Sequence, residues 1–389
     1  MKTENRNPFN RTTVFIAACI GMCFFGISVI TLGSLLPSLV AKLQLTGSLQ
    51  TTTLATLLPL GMLGGSLLFG PIVDRYGHKA LFLVSCCAVL LGLQGLAYFA
   101  TILPLQLSIV LIGLGGGVLN GETNALVADI YDEADKGSRI SLLGTFYGIG
   151  ALGIPTLLSL LMAHYSFEHI LQGIGAVMLA AVLFCATVRF PAPKQPQGFP
   201  IKEGLGLLKE KMLLLLSFIL FFQSGVEGVS NNWTNLYLTQ TSTALSAEQI
   251  LMVLAGMMAG LTVARLALTL LFKHIRQEII LQVSLLVAAL GFVLMSLTAT
   301  FLPVLAGMVL VGVGLAATFP VVLGSIGSRY PTLSGTAFSV ALVIALLGQT
   351  FLNALTGWLS QSVGIEVYPY ITIVSLLIMW LLYRRQLTQ

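Results

Sequence analysis

The sequence predicts an all-α membrane protein, with twelve transmembrane helices in two pseudo-symmetric six-helix bundles. Three observations carry this: an apolar composition cut into twelve long runs, basic residues confined to alternate gaps between the runs, and an internal repeat. Apolar residues make up 56% of the chain and charged residues 8%, against about 25% charged in a soluble domain. An ordinary soluble fold is therefore excluded.

The first six apolar runs lie near 13–40, 51–73, 80–101, 105–131, 139–163 and 168–190, and the second six near 212–239, 247–271, 278–300, 302–328, 333–361 and 366–383. Each exceeds the roughly 20 residues a helix needs to cross the hydrocarbon core. Their length and weak alternation argue against an outer-membrane barrel. Arg75 and Lys79, Lys136 and Arg139, Lys273 and Arg276, and Arg329 occupy successive even-numbered gaps. Lys2, Arg6 and Arg11 begin the chain, Arg384 and Arg385 end it, and Arg189, Lys194, Lys202, Lys209 and Lys211 fill the middle gap. Lys42 alone stands in an odd-numbered gap, and Arg265 lies near the cytoplasmic end of its span. Basic residues are retained on the cytoplasmic side during insertion. The expectation is a multi-pass protein of a bacterial-type cytoplasmic (inner) membrane with both termini inside.

The net charge of +5 follows from this basic rim and carries no indication of nucleic-acid binding. Cys19, Cys23, Cys86, Cys87 and Cys185 lie within apolar runs and read as packing residues, not as a disulfide or metal framework. The first run is too long for a cleaved signal peptide. No cofactor is expected.

The longest polar interruption, 191–211, is rich in Pro, Lys and Gly and divides an N-terminal bundle (1–190) from a C-terminal bundle (212–389). Residues 100–117 align with 299–316, with Ala100/Ala299, Thr101/Thr300, Pro104/Pro303, Gly113/Gly312 and Gly115/Gly314 in register. This matches span four to span ten in the same orientation. Parallel repeats of this kind build transporters whose substrate site lies between the halves near the midplane.

Ionised side chains at the bilayer centre cost about 2.5–3.5 kcal/mol on insertion scales, so those present usually serve a function. Two acids lie within spans: Glu122 in span four and Glu227 in span seven. Gln223, Glu227, Asn231 and Asn235 recur every four residues of span seven and form one polar stripe, flanked by Asn232, Trp233 and Tyr237. Amides and a carboxylate supply directional donors and acceptors, while aromatic faces cover the C–H side of a sugar ring. Interhelical hydrogen bonding is the plainer alternative. Asn120 and Asn124 share one face of span four; Glu122 points away from them, so either the Gly-rich helix is distorted or Glu122 serves a neighbouring helix, structurally or as a proton carrier. Gln349 and Asn353 repeat the i, i+4 pattern in span eleven. Substrate-binding candidates are therefore Asn120, Asn124, Gln223, Glu227, Asn231, Asn232, Trp233, Gln349 and Asn353. Ion-coupling candidates are Glu227 and Glu122.

The gap after span two reads Gly70-Pro-Ile-Val-Asp74-Arg75-Tyr-Gly77-His-Lys79, which resembles the G-x-x-x-D-R-x-G-x-R/K signature of the major facilitator superfamily. A weaker copy runs from Gly260 to Arg265. The resemblance implies a cytoplasmic gate made by Gly70, Asp74, Arg75, Gly77, Lys79 and Arg265, in which Asp74 caps a neighbouring helix end. Within the superfamily the chain resembles the fucose/galactose/glucose-permease branch. The resemblance rests on FFGISVITLGSLLPSL in span one, GLGGGVLNGETNALV in span four, Glu227 with Trp233 and Tyr237-Leu238 in span seven, and a segment ending Phe319-Pro320 in span ten. It implies a monomeric transporter moving a hexose or related solute by alternating access, coupled to H+ or Na+. The two acids of the fucose-type symporters fall here on Gly33 and Asn120, so Glu227 or Glu122 must carry any coupled proton. The alternative is a proton-driven exporter of drugs or amphipathic metabolites, although the Gly-Pro pair typical of span five in that class is interrupted here by Ile154. Neither a nucleophile elbow nor a phosphate-binding loop marks an enzyme.

Overall fold

The computed structural model describes residues 9–44, 48–162, 164–194, 206–242 and 245–387; Lys2, Arg6, Lys202 and the middle of the 191–211 linker lie outside them. The described residues contain helices and no strand. These helices are α1 (Arg11–Lys42), α2 (Ser48–Tyr76), α3 (His78–Tyr98), α4 (Ile102–Ile130), α5 (Glu133–Leu161), α6 (Phe167–Thr187), α7 (Lys211–Thr241), α8 (Ala247–Leu271), α9 (Gln277–Leu297), α10 (Phe301–Leu315), α11 (Thr318–Arg329), α12 (Ser334–Val363) and α13 (Val367–Leu387). Together they supply 12 spans long and apolar enough to cross a membrane, with α10 and α11 forming one of them, Phe301–Arg329.

Two departures from the sequence expectation exceed the few residues by which helix ends vary, each for a local reason. α5 starts at Glu133, ahead of the apolar run, because Glu133 and Asp135 in its first turn complement the positive end of the helix dipole. Span ten is interrupted at Ala316–Ala317. Pro320 has no backbone N–H with which to bond four residues back, and Thr318-Phe319-Pro320 instead begins a new helix.

The chain forms two compact units. The first comprises residues 1–130, 146–204 and 330–339; the second comprises 131–145, 205–329 and 340–389. α5 thus begins in the second unit and ends in the first, while the opening turns of α12 belong to the first.

Within each unit the glycines of the repeat make the same crossings. A Cβ on Gly113 would strike the Leu58 carbonyl of α2, and one on Gly312 the Met257 carbonyl of α8. Gly115 abuts Ser85 and Val89 of α3, and Gly314 abuts Ser284 and Ala288 of α9. Small residues let backbones approach closely where the lipid supplies no hydrophobic drive between helices. The same register joins Gly61, on Val110, to Gly260, on Val309. By its packing Gly260 therefore corresponds to Gly61 and not to Gly70, and in the same register Arg265 corresponds to Ser66. The weaker motif copy is displaced from the position its spacing suggested. Introducing Val at Gly113 or Gly312 is expected to lower the melting temperature in detergent by several degrees, whereas Val at Gly153, whose surroundings are open, is expected to leave it unchanged.

Lys42, the basic residue of the opposite face, also has a structural role. Its Nζ donates to the carbonyl of Ala97 at 3.0 Å at the end of α3 and pairs with Glu168 of α6 at 3.4 Å. A cation there complements the negative end of α3.

Candidate functional site

Two groups of polar side chains stand in the second unit. The first surrounds Glu227, near the centre of α7 and partly accessible. Gln223, one turn back on the same face, lies near the carboxylate, and Arg265 of α8 is the cation within electrostatic reach. Arg265 is buried and donates through Nη1 to the carbonyl of Gly144, in the first half of α5, at 3.3 Å. Gln223 Nε2 also donates to the Leu315 carbonyl at 3.1 Å, at the last residue of α10, where the helix breaks and its carbonyls lose their usual partners. Gln223 Oε1 and Thr318 Oγ1, beside the same break, are buried without a hydrogen-bond partner. A carboxylate, unsatisfied oxygens and a discontinuous helix near mid-span are the features from which transporters build solute and ion sites.

The second group lies further along α7. Asn353 of α12 accepts on Oδ1 from Asn232 Nδ2 at 2.9 Å and from the Trp233 indole at 3.1 Å, while its own Nδ2 donates to the Gln349 carbonyl at 2.8 Å. α7 and α12 meet closely enough for this because Gly228 sits against Gln349 and Asn353, and Gly348 against the Phe221 backbone. Trp233 also lies over Gly357, where a Cβ would be 3.3 Å from the ring. The indole is thus fixed at its N–H and one edge, and stays half-buried. Asn353 spends its oxygen on two donors, so it acts by positioning Asn232 and Trp233. Asn231, Asn235 and Gln349 are exposed, and Thr239 Oγ1 donates to Asn235 Oδ1 at 3.3 Å.

In the first unit, Asn124 is buried and donates to the Asn120 carbonyl one turn back at 2.7 Å; Asn120 is half-buried. Glu122 turns away from this pair, and of the two readings open for it the second describes its place: it is buried against the neighbouring α3, with Oε1 3.2 Å from His78 Nδ1.

The motif residues have separable roles. Asp74 is buried at the end of α2 and caps the first turn of α12, accepting from the N–H groups of Gly335 at 3.1 Å and Thr336 at 2.8 Å and from Thr336 Oγ1 at 2.7 Å. Orphan N–H groups at a helix start attract such an acceptor. Gly70 lets α2 reach that turn, since a Cβ there would fall 2.6 Å from the Gly335 carbonyl. Gly77 has φ +80°, a conformation that L side chains rarely adopt, and it turns the chain from α2 into α3. Arg75 and Lys79 are exposed, with Arg75 stacked on Tyr76. The cation at the centre of the cluster comes instead from the linker: Lys194 Nζ is 2.6 Å from Asp129 Oδ1 and 2.5 Å from Ser334 Oγ.

Sequence reasoning missed His78, Lys194, Ser334 and Thr318. One signal was available for His78, which follows Gly77 inside the charged motif, where a basic side chain borders buried helix ends.

The family model of the Major Facilitator Superfamily matches residues 18–344. The multidrug resistance protein MdtH of Aeromonas hydrophila is 34% identical over 164 residues, 41% of this chain and 39% of that protein. The inner membrane transport protein YdiN of Escherichia coli is 24% identical over 232 residues, 58% of this chain and 54% of that protein. The matches thus span two fifths to about half of these relatives. Among solved structures, FucP in the outward conformation superposes with TM-score 0.81 at 17% identity, covering 96% of this chain and 98% of FucP. The proton:xylose symporter XylE superposes with TM-score 0.77 at 13% identity, covering 95% of each chain. These structural likenesses are likenesses of fold. With twelve membrane-spanning helices and a family match over most of its length, the chain is a multi-pass membrane protein belonging to the Major Facilitator Superfamily.

Proposed function

We propose that the protein is a secondary active transporter that moves a hexose or closely related polyol-like solute across the cytoplasmic membrane by alternating access, coupled to protons. The basic face of the spans is cytoplasmic in this reading, both termini lie inside, and the functional unit is a monomer. Residues 1–190 and 212–389 act as the two moving halves, joined by the 191–211 linker.

The observation that carries the proposal is the Asn232–Asn353–Trp233 arrangement. An indole held at its N–H keeps a ring face for the C–H side of a sugar, and the amides beside it supply donors and acceptors for hydroxyls. Glu227, between one and two turns earlier on α7 and one turn from Gln223, is the coupling group. Asn120 and Asn124 are the corresponding amides of the first unit. The structural relatives named as fucose:proton and proton:xylose symporters support this reading.

A second reading, proton-driven export of amphipathic compounds, is favoured by the 34% identity to a multidrug resistance protein. Aromatic residues near Phe221, whose ring lies 5.2 Å from Phe222 and 5.8 Å from Phe351, would then line the route of an apolar cation. Affinity separates the two. In a calorimetric titration of purified protein with hexoses, Trp233→Ala is expected to weaken binding by about tenfold, within the range of an aromatic contact in a buried site. Asn353→Ala is expected to weaken it similarly by releasing Asn232 and Trp233. Hexose affinity unchanged in both variants would remove this cluster from the solute site.

A further inference from the structure

Three titratable side chains from two helices meet at the basic-face end of the first unit. His78 opens α3 and is buried. Glu122 and Asp129 stand at i and i+7 on α4 and so share a face. Nδ1 of His78 is 3.2 Å from Glu122 Oε1, and Nε2 is 3.1 Å from Asp129 Oδ2.

Hydrogen-bond arithmetic constrains this arrangement. A neutral imidazole has one N–H and one lone pair, so it can donate to one carboxylate only. If both carboxylates were ionised, the lone pair would face an anionic oxygen at hydrogen-bond distance inside the helix bundle. Both contacts are attractive only when the trio holds one proton more than neutral histidine and two carboxylates. Asp129 is the member that stays ionised, because its Oδ1 also takes the Lys194 ammonium at 2.6 Å and the Ser334 hydroxyl at 2.8 Å. Glu122 Oε2, by contrast, is buried with no hydrogen-bond partner. An anionic oxygen left without a donor costs more than a neutral one.

We infer that Glu122 and His78 together form a proton-binding site, in which the Glu122 carboxyl O–H donates to Nδ1 and the Nε2–H donates to Asp129, and that this proton secures the first turn of α12 to the first unit. The link to α12 is direct. Asp129 holds Ser334, the first residue of that helix, and Lys194 bridges the same two groups. Loss of the proton turns the Nδ1–Glu122 contact repulsive, which displaces the His78 ring and with it the Nε2–H that orients Asp129, and so weakens the hold on residues 334–336. The arrangement with the extra proton is therefore favoured at low pH and released as pH rises.

The other groups facing the site leave this sign unchanged. The thiols of Cys86 on α3 and Cys185 on α6 face Glu122, Lys194 faces Asp129, and Asp74 on α2 lies within electrostatic reach of Lys194. Cys86→Ala and Cys185→Ala are accordingly expected to keep the wild-type pH response. The site depends on no particular solute and stands apart from the sugar reading.

Hydrogen exchange of the solute-free protein in lipid nanodiscs tests it, using the protection of residues 330–339. Protection is expected to fall between about pH 5.5 and about pH 8.5, on either side of the ordinary imidazole value, with a slope of up to about tenfold per pH unit for one linked proton. In Glu122→Gln the amide N–H donates to Nδ1 at every pH, so protection should stay high and flat. His78→Arg, with permanent donors for both carboxylates, should also be flat, and carries the test if the first variant does not fold. Wild-type protection that ignores pH, or a variant that keeps the wild-type slope, would overturn the inference. No solute or gradient enters this experiment, so its failure is distinct from failure of the transport reading.

Discussion

Glu227→Gln is expected to abolish uphill accumulation of solute in proteoliposomes bearing a pH gradient, while exchange of labelled for unlabelled solute continues. Glutamine keeps the shape and hydrogen-bonding of a protonated Glu227 and its contact with Gln223, so the solute still enters a formed site. What it removes is the loss and gain of charge near the centre of α7, opposite the Arg265 guanidinium. With a permanently neutral group there, solute movement is no longer obliged to carry a proton, and the gradient stops doing work. Accumulation should fall at least about tenfold, equivalent to the roughly 1.4 kcal/mol that one pH unit of driving force supplies. Accumulation equal to wild type would remove Glu227 from coupling and leave it as a helix-packing group.

Asp74→Ala is the second large effect. The side chain accepts three hydrogen bonds from the first turn of α12, and Gly335 and Thr336 have few alternatives so close to Gly70. Losing a helix cap costs about 0.5–2 kcal/mol, and each buried donor left unsatisfied adds about 1–3 kcal/mol. Protection of residues 334–339 against hydrogen exchange is expected to drop at every pH, and transport with it, while the protein still reaches the membrane. Asp74→Asn retains one acceptor oxygen and should fall between the two. Unchanged protection in Asp74→Ala would place the hold on α12 elsewhere, in Lys194 and in Ser339, whose hydroxyl donates to the Leu67 carbonyl of α2 at 3.2 Å.

Much of this architecture was legible in the residues. The twelve run lengths needed only the thickness of a bilayer. The match of Pro104 with Pro303 and of Gly113 with Gly312 paired span four with span ten, and the structure puts those two glycines at equivalent crossings, of α4 on α2 and of α10 on α8. Gly70, Asp74 and Gly77 were also readable, since each answers a backbone demand: close approach, a helix cap, a positive φ. Partner choice between side chains far apart in sequence was not. Glu122 could be placed off the Asn120/Asn124 face from helical angle alone, but nothing local names His78 as its neighbour. Lys194 sits in a segment whose composition reads as a solvated linker, yet it supplies the cation at Asp129. Arg265 was misplaced in register because a Gly-to-Arg spacing of five recurs by chance in apolar helices, whereas backbone crossings do not. The break in span ten hid behind unbroken hydropathy, with Pro320 as its one local sign.

Substrate identity is where the amide cluster and the sequence relatives point in different directions, and the most direct measurement sets them against each other. Purified protein is reconstituted in liposomes with the outside more acidic than the lumen, and entry of labelled hexoses is compared with that of lipophilic cationic dyes. Hexose accumulation that collapses with a protonophore and is lost in Glu227→Gln is the predicted result. Dye movement against the proton flow, with no hexose accumulation in wild type, would contradict the sugar symporter reading and establish export in its place.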